Sequence, residues 1–189
     1  MRLLTGNNER ILALTSYCGF ITFFINTLFY QAGLISIAVF TCVILPGFTF
    51  GGTLVFTVKD VSAWKRLLFI ILSGGIYITA NWIATDSHIP GYSPVFFLYA
   101  SVFGHLALYL LYQLLLITSQ ISWRAICLSA VFGILSSILP IIACNQKNLT
   151  SPAREFLNTI LLMSIFITWQ FLFGLLLVIT PRNVLRDKS

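Results

Sequence analysis

The sequence predicts an all-α membrane protein, a bundle of six transmembrane helices with the N- and C-termini both cytoplasmic. Three observations predict it. Positions 11 to 58 form 48 consecutive residues without Asp, Glu, Lys, Arg or His. Positions 67 to 123 carry only Asp86, His88 and His105, and positions 156 to 181 carry no charge. Hydrophobic residues make up 58% of the chain and charged residues 8%, where soluble domains carry about 25% charged residues. Such stretches offer no polar surface to water, whereas a hydrocarbon core of about 30 Å takes roughly 20 apolar residues per helical crossing. The first run is long enough to cross twice. The apolar segments nearly use up the 189 residues, so residues 1–189 read as a single polytopic domain.

The helices are expected at about 11–29, 34–58, 67–85, 94–117, 124–144 and 157–180. The first is too long for a signal-peptide core, and no small-residue cleavage site follows it. Tyr30-Gln31-Ala32-Gly33 makes a short turn before the second. Lys59, Asp60, Lys65 and Arg66 are costly in hydrocarbon, so 59–66 is read as a loop. Asp86-Ser87-His88-Ile89-Pro90-Gly91 is rich in turn formers. Ser119 to Ser122 with Arg124, and Asn145 to Thr150, break the next two runs. Ser151-Pro152 reads as a helix cap followed by proline at the first helical position, and Pro181 ends the last helix.

Orientation follows from the basic residues. With the N-terminus cytoplasmic, the inner segments hold Arg2, Arg10, Lys59, Lys65, Arg66, Arg124, Arg182, Arg186 and Lys188, and the outer ones only Lys147 and Arg154. Nine against two is a strong positive-inside bias. A rival layout makes 34–58 a re-entrant hairpin, because it contains Pro46-Gly47 and Gly51-Gly52; the split then falls to seven against four. Trp64 and Trp123 fall at the inner boundary and Tyr30, Trp82 and Tyr92 at the outer one, where amphipathic rings favour the headgroup depth. The net charge of +6 is accounted for by these flanks, so no nucleic-acid partner is expected; the bilayer is.

Within lipid, helices associate by close packing of small residues. Ser129-x-x-x-Gly133-x-x-x-Ser137, with Pro140 one turn on, forms such a stripe in the fifth helix, and Pro46, Gly47 and Gly51 a similar one in the second. These are packing or hinge candidates. The matched interruptions at Pro46-Gly47 and Pro140 also fit a three-plus-three inverted repeat.

Polar residues inside the apolar runs are the ligand-binding or proton-relay candidates. His105 lies midway along the fourth helix, with Ser101, Tyr109, Tyr112 and Gln113 broadly on its side. Gln170 lies at similar depth in the sixth, which makes His105 a partner by depth alone. Tyr77, Asn81, Thr85 and His88 share a side of the third helix and its exit, after Ser73-Gly74-Gly75.

No catalytic constellation is visible: there is no H-E-x-x-H, G-x-S-x-G or Walker sequence. The five carboxylates, Glu9, Asp60, Asp86, Glu155 and Asp187, all lie at helix edges or in tails. Cys18, Cys42, Cys127 and Cys144 are unpaired in spacing and read as small apolar residues, and no cofactor or metal is expected. Asn148-Leu149-Thr150 fits a glycosylation sequon in an outer loop.

The layout is similar in shape to the vitamin-binding membrane subunits of energy-coupling-factor transporters, a likeness carried by helix count and size. The expected function is a small-molecule transporter or substrate-binding membrane subunit. The alternatives are a non-catalytic accessory protein, such as an assembly factor, toxin-immunity protein or defence sensor, and then an intramembrane enzyme. An accessory role implies another membrane protein or a second copy as partner. Compactness and short loops point to a bacterial cytoplasmic (inner) membrane.

Overall fold

A computed structural model describes residues 6–34, 44–85, 94–117, 121–145, 160–161 and 163–180. Six helices fill this part of the chain, and no strand occurs among the described residues. They are α1 (Gly6–Gln31), α2 (Leu45–Val55), α3 (Ala63–Thr85), α4 (Pro94–Tyr112), α5 (Trp123–Asn145) and α6 (Ile165–Ile179), with a π-helical turn (Gln113–Ile117) closing α4. Asp86, His88, Tyr92, Lys147, the sequon at Asn148, Ser151-Pro152, Arg154 and the chain beyond Thr180 lie outside the described residues, as does Cys42.

Four helices are long and apolar enough to cross a membrane, as in an integral membrane protein: Asn8–Phe29, Ala63–Ala84, Val95–Ile117 and Trp123–Ala143. The other two are shorter as described. Within the expected span 34–58 the described helix is Leu45–Val55; Leu34 and Ile44 lie outside it, a turn follows it, and 35–43 fall outside the described residues. Proline cannot donate the backbone hydrogen bond that would continue a helix from upstream, and Pro46 accordingly sits in the first turn. The described helix in the last segment is Ile165–Ile179, after a turn at Ser164, where 157–180 was expected.

The loop expected at 59–66 is also shorter, because α3 already begins at Ala63. Charge alone does not stop a helix when long side chains can reach the headgroups. Lys65 stays exposed, and the Arg66 Nε turns back to donate to the Val61 carbonyl at 3.0 Å. Asp60, at φ 59°, supplies the left-handed residue of that turn, a region Asp tolerates better than bulkier residues.

Each helix packs against its chain neighbours, and α6 packs against α1, which closes the six into a ring. The closure depends on small residues: a side chain at Gly19 would meet the Phe166 carbonyl, and one at Gly174 would meet Thr15. Opposite, Gly47 of α2 lies against the backbone of Ser73 and Gly74 in α3, where an added Cβ would come within 2.8 Å of the Gly74 Cα. The approach lets the Ser73 hydroxyl donate to the Gly47 carbonyl at 2.9 Å.

Polarity is arranged inside out relative to a water-soluble protein. Thr15, Asn26, Ser73, His105, Ser129, Ser136 and Gln170 are fully buried, while Phe20, Phe24, Ile71, Val131, Ile134 and Ile138 face outward. Soluble proteins rarely expose large contiguous apolar surface, whereas lipid solvates it.

Candidate functional site

The middles of α2, α3, α4 and α6 meet on an aromatic cluster built around Trp169. Its ring lies 4.6 Å from His105 and 4.9 Å from Tyr77, both edge to face, and 5.7 Å from Phe50. Phe173, one turn on in α6, stacks 5.8 Å away at 11°. The i, i+4 spacing puts Trp169 and Phe173 on one face of α6, and both rings are aimed at the ring interior. Edge-to-face contacts at these separations are the favoured geometry for aromatic pairs.

Polar groups are threaded through the cluster. The Gln170 Nε2 donates to the Tyr77 hydroxyl at 3.3 Å. That replaces the partner expected from depth: Gln170 bonds to Tyr77 and not to His105. The Gln170 Oε1 and both His105 nitrogens are buried and have no hydrogen-bond partner among the described residues. A neutral imidazole carries one N–H donor and one acceptor, so His105 leaves both functions unused. Neither nitrogen has a hydroxyl in reach among the described residues, so none of those serines pairs with His105.

Beside the cluster, α3, α4 and α6 stand apart far enough to leave a partly enclosed cavity of about 90 Å³. Tyr77, Ala80, Asn81 and Ala84 line it from α3, Phe97, Ala100, Ser101 and Gly104 from α4, and Ile165, Phe166 and Trp169 from α6. One water needs on the order of 10–15 Å³ by the same measure, so the space holds more than a single solvent molecule. Asn81 Nδ2 donates to the Tyr77 carbonyl at 3.0 Å. Ser101 shares a 2.6 Å bond with Ser136 of α5.

The remaining candidates fall elsewhere. Tyr109 and Gln113 are buried one and two turns further along α4. Next to them Tyr112 pairs with the Thr57 hydroxyl at 3.2 Å, tying the end of α4 to the turn after α2. Neither Tyr109 nor Gln113 lines the cavity, so the polar stripe read on α4 divides into separate contacts.

The stripe on α5 faces α4: a Cβ on Gly133 would lie 2.7 Å from the Val102 Cα. The Ser137 hydroxyl donates to the Ile134 carbonyl at 2.7 Å, and the buried Ser129 hydroxyl has no partner among the described residues. Pro140 is buried in α5 without ending it. Lacking an N–H, it cannot bond to the Ser136 carbonyl one turn back. The Thr168 hydroxyl of α6 lies 3.5 Å from that oxygen, a long contact shared with its own Ser164 carbonyl at 3.1 Å.

Sequence reasoning passed over Trp169, Phe50 and Phe173. The signal was present for Trp169: tryptophan favours membrane boundaries, and this one falls in the middle of an uncharged run. Among the described residues no group of three His, Cys, Asp or Glu side chains is placed to hold a metal. No protein family, curated protein or solved structure matches the chain.

Proposed function

We propose that the chain is a six-crossing integral membrane protein, both termini cytoplasmic, that binds a small molecule between α3, α4 and α6 as a transporter or substrate-binding membrane subunit. The observation that carries the reading is the cavity itself, set in the ring interior beside buried polar atoms of His105 and Gln170 that lack partners. Unpaired buried polar groups cost free energy in a low-dielectric interior, and a ligand or its escorting water relieves that cost. Tyr77 and Asn81 are the ligand-side groups in this reading, Gln170 stands behind Tyr77 and is bonded to its hydroxyl, and His105 is a polar reserve behind Trp169. The charge split of nine against two supports the orientation, and compactness with short loops a bacterial cytoplasmic membrane as its setting.

Purified protein should gain thermal stability with one member of a small-molecule library, by about 2.7 kcal/mol at a hundredfold excess over Kd. Gln170→Ala should remove the gain. A library-wide absence of any shift, together with stable co-purification of another membrane protein, would overturn the binding reading. Tags on the two termini should both be reached from the cytoplasmic side; opposite accessibility would exclude six crossings.

A second reading, a non-catalytic accessory protein or self-associating subunit, has its own support. Gly52 and Gly75 each open onto space, with nothing among the described residues within 4 Å. Small residues facing lipid are the usual contact points for another helix.

A further inference from the structure

The chemical class of the occupant follows from what lines the cavity. Resting on the binding reading above, we infer that the cavity takes an uncharged, compact molecule with a ring or short hydrocarbon body and one hydrogen-bond acceptor.

Charge is the first constraint. Among the described residues no Asp, Glu, Lys, Arg or His lines the space. His105 packs on the Trp169 ring and is not part of the lining. An ion brought between these helices would give up its hydration without a counter-charge, which buried charges do not tolerate. Size is the second. A cavity of about 150 Å³ lined by apolar side chains accommodates benzene. At about 90 Å³ this one admits a benzene-sized body at most, with further bulk projecting through the open side. Polarity is the third. Most of the wall is Ala, Ile and Phe, and the polar exceptions are Tyr77, Asn81, Ser101 and the Trp169 indole. Ser101 is engaged with Ser136. The Tyr77 hydroxyl accepts from Gln170, and a hydroxyl that accepts still has its own proton to donate. A ligand oxygen bonded to that proton completes the pair. The aromatic walls then favour a ring over a flexible chain, because a ring loses less conformational freedom on binding.

The test uses three molecules of one shape: benzyl alcohol, benzylammonium and benzoate, with toluene as the ring without an acceptor. The full-length protein carries Trp64→Phe, Trp82→Phe and Trp123→Phe, leaving Trp169 to report by fluorescence; all three replaced residues are exposed. Benzyl alcohol should half-saturate at a concentration at least tenfold below either ion. Ala80→Phe, which fills the cavity, should raise that concentration at least tenfold, which separates the site from partitioning into detergent. Tyr77→Phe should weaken benzyl alcohol several-fold and leave toluene unchanged. If either ion binds as tightly as the alcohol, or if Tyr77→Phe weakens toluene equally, the assigned class is wrong while the cavity remains a ligand site. If no compound changes Trp169 fluorescence, or Ala80→Phe leaves every titration unaltered, the cavity is not a ligand site and both inferences fall.

Discussion

Helix α4 meets its two flanks in contrasting ways. Toward α5 the backbones touch: Gly133 lies on Val102, and Ser101 and Ser136 satisfy each other at 2.6 Å. Toward α3 and α6 the same helix offers Gly104 and His105 to bulky rings, and there a cavity and unpartnered imidazole nitrogens remain. Small residues let helices interlock until little space is left, and hydroxyls at that range pair without help. Rings fill volume in coarse blocks, and planar groups meeting edge to face leave gaps between them. Two adjacent faces of one helix therefore carry a stiff seam and a loosely filled chamber. Ser101 stands at their border, bonded into the seam and lining the chamber.

The largest effect that tests this contrast comes from the centre of the chamber. Trp169→Ala removes the ring that touches Phe50, Tyr77, His105 and Phe173. Lipid-exposed unfolding contributes little transfer free energy, so the cavity dominates: ~24 cal/mol per Å³ over on the order of 120 Å³ gives about 3 kcal/mol. Equilibrium unfolding in mixed micelles should report that loss. A change under about 1 kcal/mol would mean that the neighbouring rings collapse into the space, and the chamber would be softer than the contrast requires.

The seam should answer next. Gly133→Val drives two methyl groups into the Val102 backbone, which cannot rotate away as a side chain can. The expected loss is about 2 kcal/mol by the same measurement. Ligand response of the folded fraction should survive, because Gly133 lines no part of the cavity. Loss of binding with stability intact would show that the two faces of α4 are coupled rather than separate.

Much of this arrangement can be read from residue type and spacing, and the rest cannot for identifiable reasons. A histidine and a glutamine inside uncharged runs announce themselves, since each carries a desolvation cost that must be met somewhere. Glycine and serine at four-residue spacing announce a close approach in the same way. Neither names the partner. Gln170 and Tyr77 lie 93 positions apart, and only the closed ring brings them within 3.3 Å. Depth along a helix is one coordinate; the rotation and neighbour of each helix are two more, fixed by packing over the whole bundle. Trp169 was hidden by a sound rule applied too widely. Trp64, Trp82 and Trp123 are 68%, 65% and 74% exposed, as boundary rings should be, but Trp169 is 7% exposed.

The smallest effect concerns two neighbouring glycines and separates the two functional readings. Gly51 of α2 abuts the Ser73 side chain, so Gly51→Ala displaces a hydroxyl already bonded to the Gly47 carbonyl and should destabilise. Gly52, the next residue, meets nothing among the described residues within 4 Å. Alanine there removes the helix-propensity cost of an interior glycine, roughly 0.5–1 kcal/mol, and meets no obstacle. If lipid alone covers this face, Gly52→Ala should raise the melting temperature slightly and leave the particle mass in detergent unchanged. If another helix rests on Gly52, the added methyl group holds it off, and a co-purifying species or a dimer should dissociate while the monomer itself becomes no less stable. Size-exclusion with light scattering on the single substitution distinguishes the two, since only an occupied face couples a gain in local helix stability to a loss of association.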